Sequence, residues 1–256
     1  MRAVLRLVWV MLLAIVTPLC AMAAEPPVYA ILSLVGNRLD IVVPQAAVGG
    51  KGDSKRIAPV PIADPLFDNA IVRAAGDTVQ RNLPNAEVVE LNTRSQSLFD
   101  TQQDLFQEKD AFMSLPDAIS NVVRNQKASH LVLISKYRDA PTFTLTNFPD
   151  RGVTLEGLGF YLEGFRRAGD ADGQTPPPIR ASLYAYLTVY LIDASTFLVL
   201  KKQTISASAT LTLPDTTLPA AKAWEAIPAQ TKVRAMDQLI RSEIARVVGG
   251  WVKQEK

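Results

Sequence analysis

Ala181-Ser182-Leu183-Tyr184-Ala185-Tyr186-Leu187-Thr188-Val189-Tyr190-Leu191 alternates without a break. Its odd positions are all apolar and its even positions are hydroxylated or tyrosine, which is the two-residue period of a strand with two unlike faces. Asp193-Ala194-Ser195-Thr196 supplies turn chemistry. Phe197 to Leu211 then runs back, with Lys202, Thr204, Ser206, Ser208 and Thr210 on one side and Phe197, Val199, Ile205, Ala207, Ala209 and Leu211 on the other. The pattern predicts a long β-hairpin. At about 3.3 Å per residue the second arm would reach on the order of 50 Å, so it either bends at a bulge or projects beyond the body.

Upstream, Leu131 to Ile134 is a continuous apolar run, the signature of a strand covered on both faces and therefore central in a sheet. Residues 138 to 180 are the least regular part of the chain, holding Pro141, Pro149, Pro176, Pro177 and Pro178. Within that excursion Thr154 to Phe165 alternates, Leu158, Phe160 and Leu162 against Gly157, Gly159 and Tyr161, which reads as an edge strand or a glycine-rich flap. Val28 to Val35 and Leu39 to Val43 are β-rich and separated by Gly36-Asn37, so they are expected to form a hairpin. Ala46 to Pro61, with its glycines, prolines and mixed charge, reads as a loop. Ala86 to Leu91 reads as a short strand.

Asp64-Pro65 suits a helix start, the aspartate capping and the proline in first position. Leu66, Phe67, Ala70, Ile71, Ala74, Ala75, Thr78 and Val79 follow on one face until Pro84. Ser95 to Lys109 predicts a polar helix with a thin apolar contact from Leu98, Leu105 and Phe106. Ser114 with Asp117 has capping-box spacing and opens a helix carrying Ile119, Val122 and Val123. After Pro228, Val233, Met236, Ile240, Ile244, Val247 and Trp251 step by three or four, an amphipathic C-terminal helix that should dock on the sheet. The elements predict a mixed α/β fold: one domain over residues 25–256 with a mixed β-sheet flanked by helices, and an irregular excursion at 138–180.

The start of the chain speaks to location. Arg2 and Arg6 precede the apolar run Leu7 to Val16, Pro18 breaks it, and Ala21-Met22-Ala23 offers the small residues a signal peptidase reads, so residues 1–24 are expected to be a removed signal peptide. The run is too short for a membrane span of about 20 apolar residues. The one cysteine, Cys20, lies within that leader, and Leu19 before it argues against a lipid-acceptor cysteine. The chain has 27 basic and 25 acidic residues; losing Arg2 and Arg6 leaves 25 of each, a neutral surface that gives no field to draw in nucleic acid.

The search for chemistry returns few candidates. His130 is the only histidine, so a hydrolase would depend on a residue at the head of a buried strand, and a structural role is favoured. Asp170-Ala171-Asp172-Gly173 lacks the third acid and closing glutamate of a calcium loop. Gly157-Leu158-Gly159 lacks the third glycine of a dinucleotide fingerprint. Asp100, Asp104, Glu108 and Asp110 read as a solvated helix face. No catalytic residue, cofactor or metal is expected. The aromatic and arginine cluster formed by Phe160, Tyr161, Phe165, Arg166, Tyr184 and Tyr186 matches the composition of interface centres, so docking of the flap and tyrosine face onto a protein partner is the expectation. The competing reading is that the flap itself covers the tyrosines, each keeping its hydroxyl wet.

Ser129-His130-Leu131-Val132-Leu133-Ile134, followed after the excursion by Leu187 through Leu200 with Asp193 and Thr196 at the turn, resembles the periplasmic α/β domains of the CsgG, LpoB and TolB amino-terminal group. Ser129, Asp193 and Thr196 fit that group's pattern. Phe197 replaces its turn glycine, the first strand lacks its proline-phenylalanine ending, its lipid-acceptor cysteine is absent, and the excursion is longer. The resemblance covers about residues 28 to 254 in order of elements. It implies a non-enzymatic component of bacterial envelope assembly that is periplasmic or peripherally associated with the outer membrane, works through an envelope protein partner, and is compatible with a homo-oligomer. In the CsgG proteins the excursion contributes strands to a barrel, which makes a membrane-associated oligomer or pore the alternative. Lys201, Lys202 and Gln203 in mid-strand argue against insertion.

Overall fold

The computed structural model describes residues 25–45, 54–62, 64–105, 108–109, 112–141, 154–163, 180–211 and 220–253. The expected leader, Phe165, Arg166 and the Asp170 to Gly173 motif lie outside the described residues. The strands are β1 (Val28–Ser33), β2 (Arg38–Gln45), β3 (Ser54–Pro61), β4 (Glu87–Leu91), β5 (Glu108–Lys109), β6 (Phe112–Met113), β7 (His130–Lys136), β8 (Arg138–Asp139), β9 (Leu155–Glu163), β10 (Arg180–Asp193) and β11 (Val199–Leu211). The described helices are α1 (Leu66–Asn82), α2 (Gln96–Leu105), α3 (Asp117–Asn125), α4 (Ala220–Ala226) and α5 (Ala229–Val252). Mixed α/β architecture is what the alternation of periods predicted.

Nine strands form one mixed sheet, and β10 organises it. One flank of β10 pairs with β11 along its whole length, while the other is shared: Arg180 to Tyr186 face β9, and Leu187 to Asp193 face β7. Beyond β7 lie β1 and β4, all three parallel; beyond β9 lie β2, parallel to it, and β3, antiparallel to β2. The length of the hairpin is thereby explained. It does not project; its two halves serve two sub-sheets, with one register irregularity at Leu191/Ile192.

The odd face of β10 (Ala181, Leu183, Ala185, Leu187, Val189, Leu191) packs into the main core with Phe67, Ile71, Ala75 and Val79 of α1 and Met236, Ile240, Ile244 and Val247 of α5. Each helix therefore buries the apolar stripe its spacing predicted. Leu66 and Val233, at the ends of those stripes, are exposed. The opposite face is covered in two separate places. Phe99 of α2 and Ile119 and Val123 of α3 pack on Leu131, Leu133, Tyr190 and Ile192, while Val42, Leu155, Tyr161, Tyr184 and Tyr186 cluster with Tyr137 farther along.

Four local expectations are corrected. The strands β1 and β2 are not a hairpin: they never pair, and the chain jogs at Leu34 to Asn37 to leave one sub-sheet and enter the other. The loop expected over Ala46 to Pro61 contains β3, an edge strand whose Pro59 and Pro61 lack the N–H a central strand needs. The strand β9 is neither edge nor flap, because β2 and β10 flank it. Helices α1 and α3 carry no side-chain cap, with Pro65 and Pro116 in the cap positions, so neither Asp64 nor the Ser114 box acts as expected. The expected contacts of Phe106 lie outside the described residues, and among the described side chains of α2 Phe99 and Gln102 are buried.

The β10–β11 turn is held by one carboxylate. Asp193 Oδ1 accepts from the Ser195 amide (3.0 Å) and hydroxyl (2.6 Å) and from the Thr196 amide (2.8 Å) and hydroxyl (2.9 Å). Phe197 then takes φ 60°, the left-handed region that favours glycine. Its amide bonds the Asp193 carbonyl at 2.8 Å, its carbonyl accepts from Met113, and its ring lies 5.1 Å from the Arg124 guanidinium. The Ser195 hydroxyl, then the Thr196 donors, hold the Asp193 carboxyl down at about 2. A depressed carboxylate contributes stability that is present above its unfolded value of about 4 and is lost as pH falls through the folded value. Asp193→Asn should therefore lower the denaturation midpoint at pH 7 and leave it nearly unchanged at pH 2, measured by urea titration at both.

Candidate functional site

The chain leaves the carboxyl end of β1 for β2 in the other sub-sheet, and β7 and β9 part where each pairs with one half of β10, which leaves a notch between the two sub-sheets. Tyr137 donates its amide to the Tyr186 carbonyl and its carbonyl accepts from Gly157, which stitches the notch closed at the backbone.

Buried ionisable side chains fill it. Asp68, in the first turn of α1, reaches back to the end of β1: its Oδ1 accepts the Ser33 hydroxyl at 2.5 Å, the Val35 amide at 2.9 Å and the Gly36 amide at 3.0 Å. Burial pushes its carboxyl above the usual range, opposed by those donors. Lys136, the last residue of β7, is 7 % exposed. Its Nζ donates to Asn37 Oδ1 at 2.5 Å and its amide to Gln102 Oε1 at 2.9 Å. Burial, then the field of Arg38, pulls its ammonium below the usual lysine value, and Glu156, Asp40 and Asp68 push the other way.

Asp40 of β2 is likewise raised, chiefly by burial. Its Oδ1 lies 3.3 Å from Arg38 Nε as a charge contact without hydrogen-bond geometry. Arg38 also reaches Glu156 at 3.4 Å, and Arg138 holds the same carboxylate oxygen at 2.8 Å. Three cations and three carboxylates thus neutralise one another. What this network does is fix the junction of the two sub-sheets.

The glycines of β9 have their explanation here. Gly157 has φ 64° and lies under the Lys136 stem, where an added Cβ would meet Cγ and Cδ at 3.2 Å. A Cβ on Gly159 would fall 2.2 Å from the Asp40 carbonyl oxygen and 2.3 Å from the Tyr184 hydroxyl oxygen, so only glycine lets that ring cross β9. Burial pushes the Tyr184 phenol well up.

The aromatic cluster expected to face a partner is core. Phe160, Tyr161, Tyr184 and Tyr186 are all buried. Phe160 packs on Trp224 of α4 with ring centroids 4.7 Å apart on one side of the sheet. Tyr161, Tyr184 and Tyr186 lie on the other, where Tyr184 meets Tyr186 edge-on at 5.7 Å and Tyr186 donates to the Ala140 carbonyl at 3.3 Å. The physical reason is that β9 is an inner strand, so alternate residues face two covered layers. Phe165 and Arg166 are outside the described residues.

His130 stands at the amino end of β7, six residues and about 20 Å of strand from Lys136. It stacks on Tyr29 at 4.7 Å, and its Nδ1 is 2.9 Å from the Ser129 hydroxyl, which also bonds the Val28 amide and carbonyl. No group of three or more His, Cys, Asp or Glu able to hold a metal ion occurs among the described residues. Asp100 bonds Gln96 on an exposed helix surface. No described helix is long and apolar enough to cross a membrane, which says nothing of strands.

Beside the notch, on the face covered in two places, an open cleft of about 370 Å³ separates the coverings. Ser135, Thr188 and Thr204 form its floor, and Lys136, Arg138 and Lys202 are the charged groups along it among the described residues. Sequence reading missed this site. Asp68 could have been found as a carboxylate inside an otherwise apolar helix face, and Lys136 as a cation closing an apolar run; the cleft needed the strand pairing.

No known family matches the chain, and no curated protein matches it. Among solved structures it is similar to protein XCC0632 of Xanthomonas campestris, of the family DUF330 (10 % identity, 90 % of this chain and 88 % of that one, TM-score 0.36). It is also similar to a PelC variant of Paraburkholderia phytofirmans solved as a dodecamer (11 %, 88 % and 88 %, 0.28). A third is a neuraminyllactose-binding hemagglutinin homolog of Helicobacter pylori (9 %, 88 % and 84 %, 0.36). Similarity at this level identifies neither activity nor partner.

Replacing Lys136 by Met should destabilise the fold by about 3 kcal/mol at pH 7, because it leaves buried carboxylates without their nearest buried cation. The raised carboxyls of Asp68 and Asp40 favour folding most below their unfolded values and lose that advantage as pH rises through the folded ones. Lys136 restrains this loss. The gap between wild type and Lys136→Met in urea midpoint should therefore widen from pH 4 to pH 8.

Proposed function

We propose that this chain is an exported, non-enzymatic binding or assembly module of the bacterial envelope that acts through protein contacts. The leader-like segment at residues 1–24 and a remainder without cysteine support export. The ionisable groups of the notch are committed to one another and to backbone, which suits a scaffold better than a reaction centre.

One observation carries the contact mode. The strand β11 is 13 residues long, and among the described residues β10 is its only strand neighbour. The other sheet margins are the short β4 and the proline-bearing β3. Lys201 and Lys202 guard one end of β11 as edge lysines do, whereas Thr204 to Leu211 carries no charge. Such an edge accepts an added strand through backbone hydrogen bonds. The contact surface is therefore assigned to β11 in place of the buried aromatic rings.

A photo-crosslinking residue at Ser208 should give, in intact cells, a discrete adduct that excess unlabelled chain suppresses, while the same residue at exposed Asp77 of α1 gives none. An adduct of twice the chain's mass would make the contact a homo-oligomer. Equal labelling at both sites, or no adduct at Ser208, would contradict strand-edge docking.

A further inference from the structure

The strand β11 offers an unbroken run for pairing. Val199 to Leu211 contains neither proline nor glycine, so every residue brings a backbone N–H and a side chain to an added strand. Its charge is confined to one end. Lys201 donates to the Trp251 carbonyl of α5 at 3.1 Å, and Lys202 Nζ lies 5.5 Å from the Tyr190 ring centroid, so both ammonium groups are engaged by their own chain. From Thr204 to Leu211 the side chains are uncharged, and Ser206, Ser208, Ala209 and Thr210 are exposed.

That segment is complementary to itself. Odd positions of β11 continue the main core layer, in which Ile205 and Leu211 are buried and against which Ala207 packs, while Thr204, Ser206, Ser208 and Thr210 carry hydroxyls on the other face. A second copy brought alongside by a two-fold axis perpendicular to the sheet runs antiparallel and keeps each face on its own side. Odd positions must then meet odd and even meet even, so the axis falls on a residue. Side-chain chemistry selects which one. Centred on Ser206, the pairing sets Lys201 against Leu211 and Lys202 against Thr210; centred on Ala207, it sets Gln203 against Leu211. Centred on Ser208, it joins Ile205 to Leu211 and Ala207 to Ala209 on the core side, and Ser206 to Thr210 and Ser208 to its own copy on the other. Every pair then joins like with like, apolar with apolar and hydroxyl with hydroxyl, which is how cross-strand pairs stabilise a sheet. The lysines of the two copies lie at opposite ends of this ladder. A parallel, in-register pairing would set lysine against lysine and one copy's core face beside the other's hydroxyl face.

We propose that the occupant of the β11 edge is a second copy of this chain, paired antiparallel over Ile205 to Leu211 about a two-fold axis at Ser208, so that two sheets become one. The inference rests on strand-edge docking at β11 and names the partner and its register. A formal charge of only +2 on each 256-residue chain adds little repulsion between copies.

The test is sedimentation equilibrium of the purified chain across a wide concentration range, joined to cysteine crosslinking in a Cys20→Ser background. A species of twice the chain's mass that grows with concentration is expected. Ser208→Lys, which sets a cation against its own copy, should weaken association by about fivefold or more, with circular dichroism showing that this exposed substitution leaves the fold intact. Under mild oxidation Ser208→Cys should give a disulfide-linked dimer. Ser206→Cys alone should give little, because four residues of offset separate it from its copy by about 13 Å, beyond the Cα separation of about 7 Å that a disulfide tolerates. Mixing Ser206→Cys chains with Thr210→Cys chains should restore crosslinking. A chain that stays monomeric at every concentration, association unchanged in Ser208→Lys, or Ser206→Cys crosslinking as readily as Ser208→Cys would overturn the proposal. Monomeric chain together with a Ser208 photo-adduct of some other mass in cells would overturn self-pairing alone and leave strand-edge docking standing.

Discussion

The Asp68 carboxylate holding the Ser33 hydroxyl and the Val35 and Gly36 amides is the contact on which the rest of the architecture depends. At that point the chain must leave the parallel strands β4, β1 and β7 and enter β2 in the other sub-sheet. Two backbone amides at such a jog have no strand partner in hand, and each would cost about 1–3 kcal/mol if buried unsatisfied. A side chain from the first turn of the next helix supplies the acceptor. Helix α1 is thereby tied to the end of β1 that it must cross.

That constraint propagates into the notch. A buried carboxylate needs a nearby cation, and Lys136 at the end of β7 answers it while bonding Asn37 in the jog itself. Arg38, Asp40 and Glu156 extend the same balance into β2 and β9. The two glycines of β9 let Lys136 and Tyr184 cross the strand. The long β10 can then run unbroken past both sub-sheets, with α1 and α5 over one face and an interrupted cover on the other.

Elements with their own periodicity were legible in the sequence. Alternation over Ala181 to Leu191, the run Leu131 to Ile134 and the stripes of α1 and α5 each identify an element from side chains alone. Gly36-Asn37 misleads because its turn chemistry is local, while the bonds that decide the jog come from Asp68, more than 30 positions later. Residues 46–61 hide β3 behind glycine and proline, which an edge strand tolerates. The aromatic residues of β9 and β10 read as an interface because composition does not tell an inner strand from an outer one. Ser135, Thr188 and Thr204 are ordinary residues in three distant segments, and only strand register brings them into a row.

Native-state hydrogen exchange at the Val35 and Gly36 amides tests the role of Asp68 most directly. If that carboxylate anchors the jog, these amides exchange only through global unfolding, with the protection of Val132 and Leu133 in central β7. Exchange through a low-energy local opening insensitive to denaturant, while β7 stays protected, would contradict it.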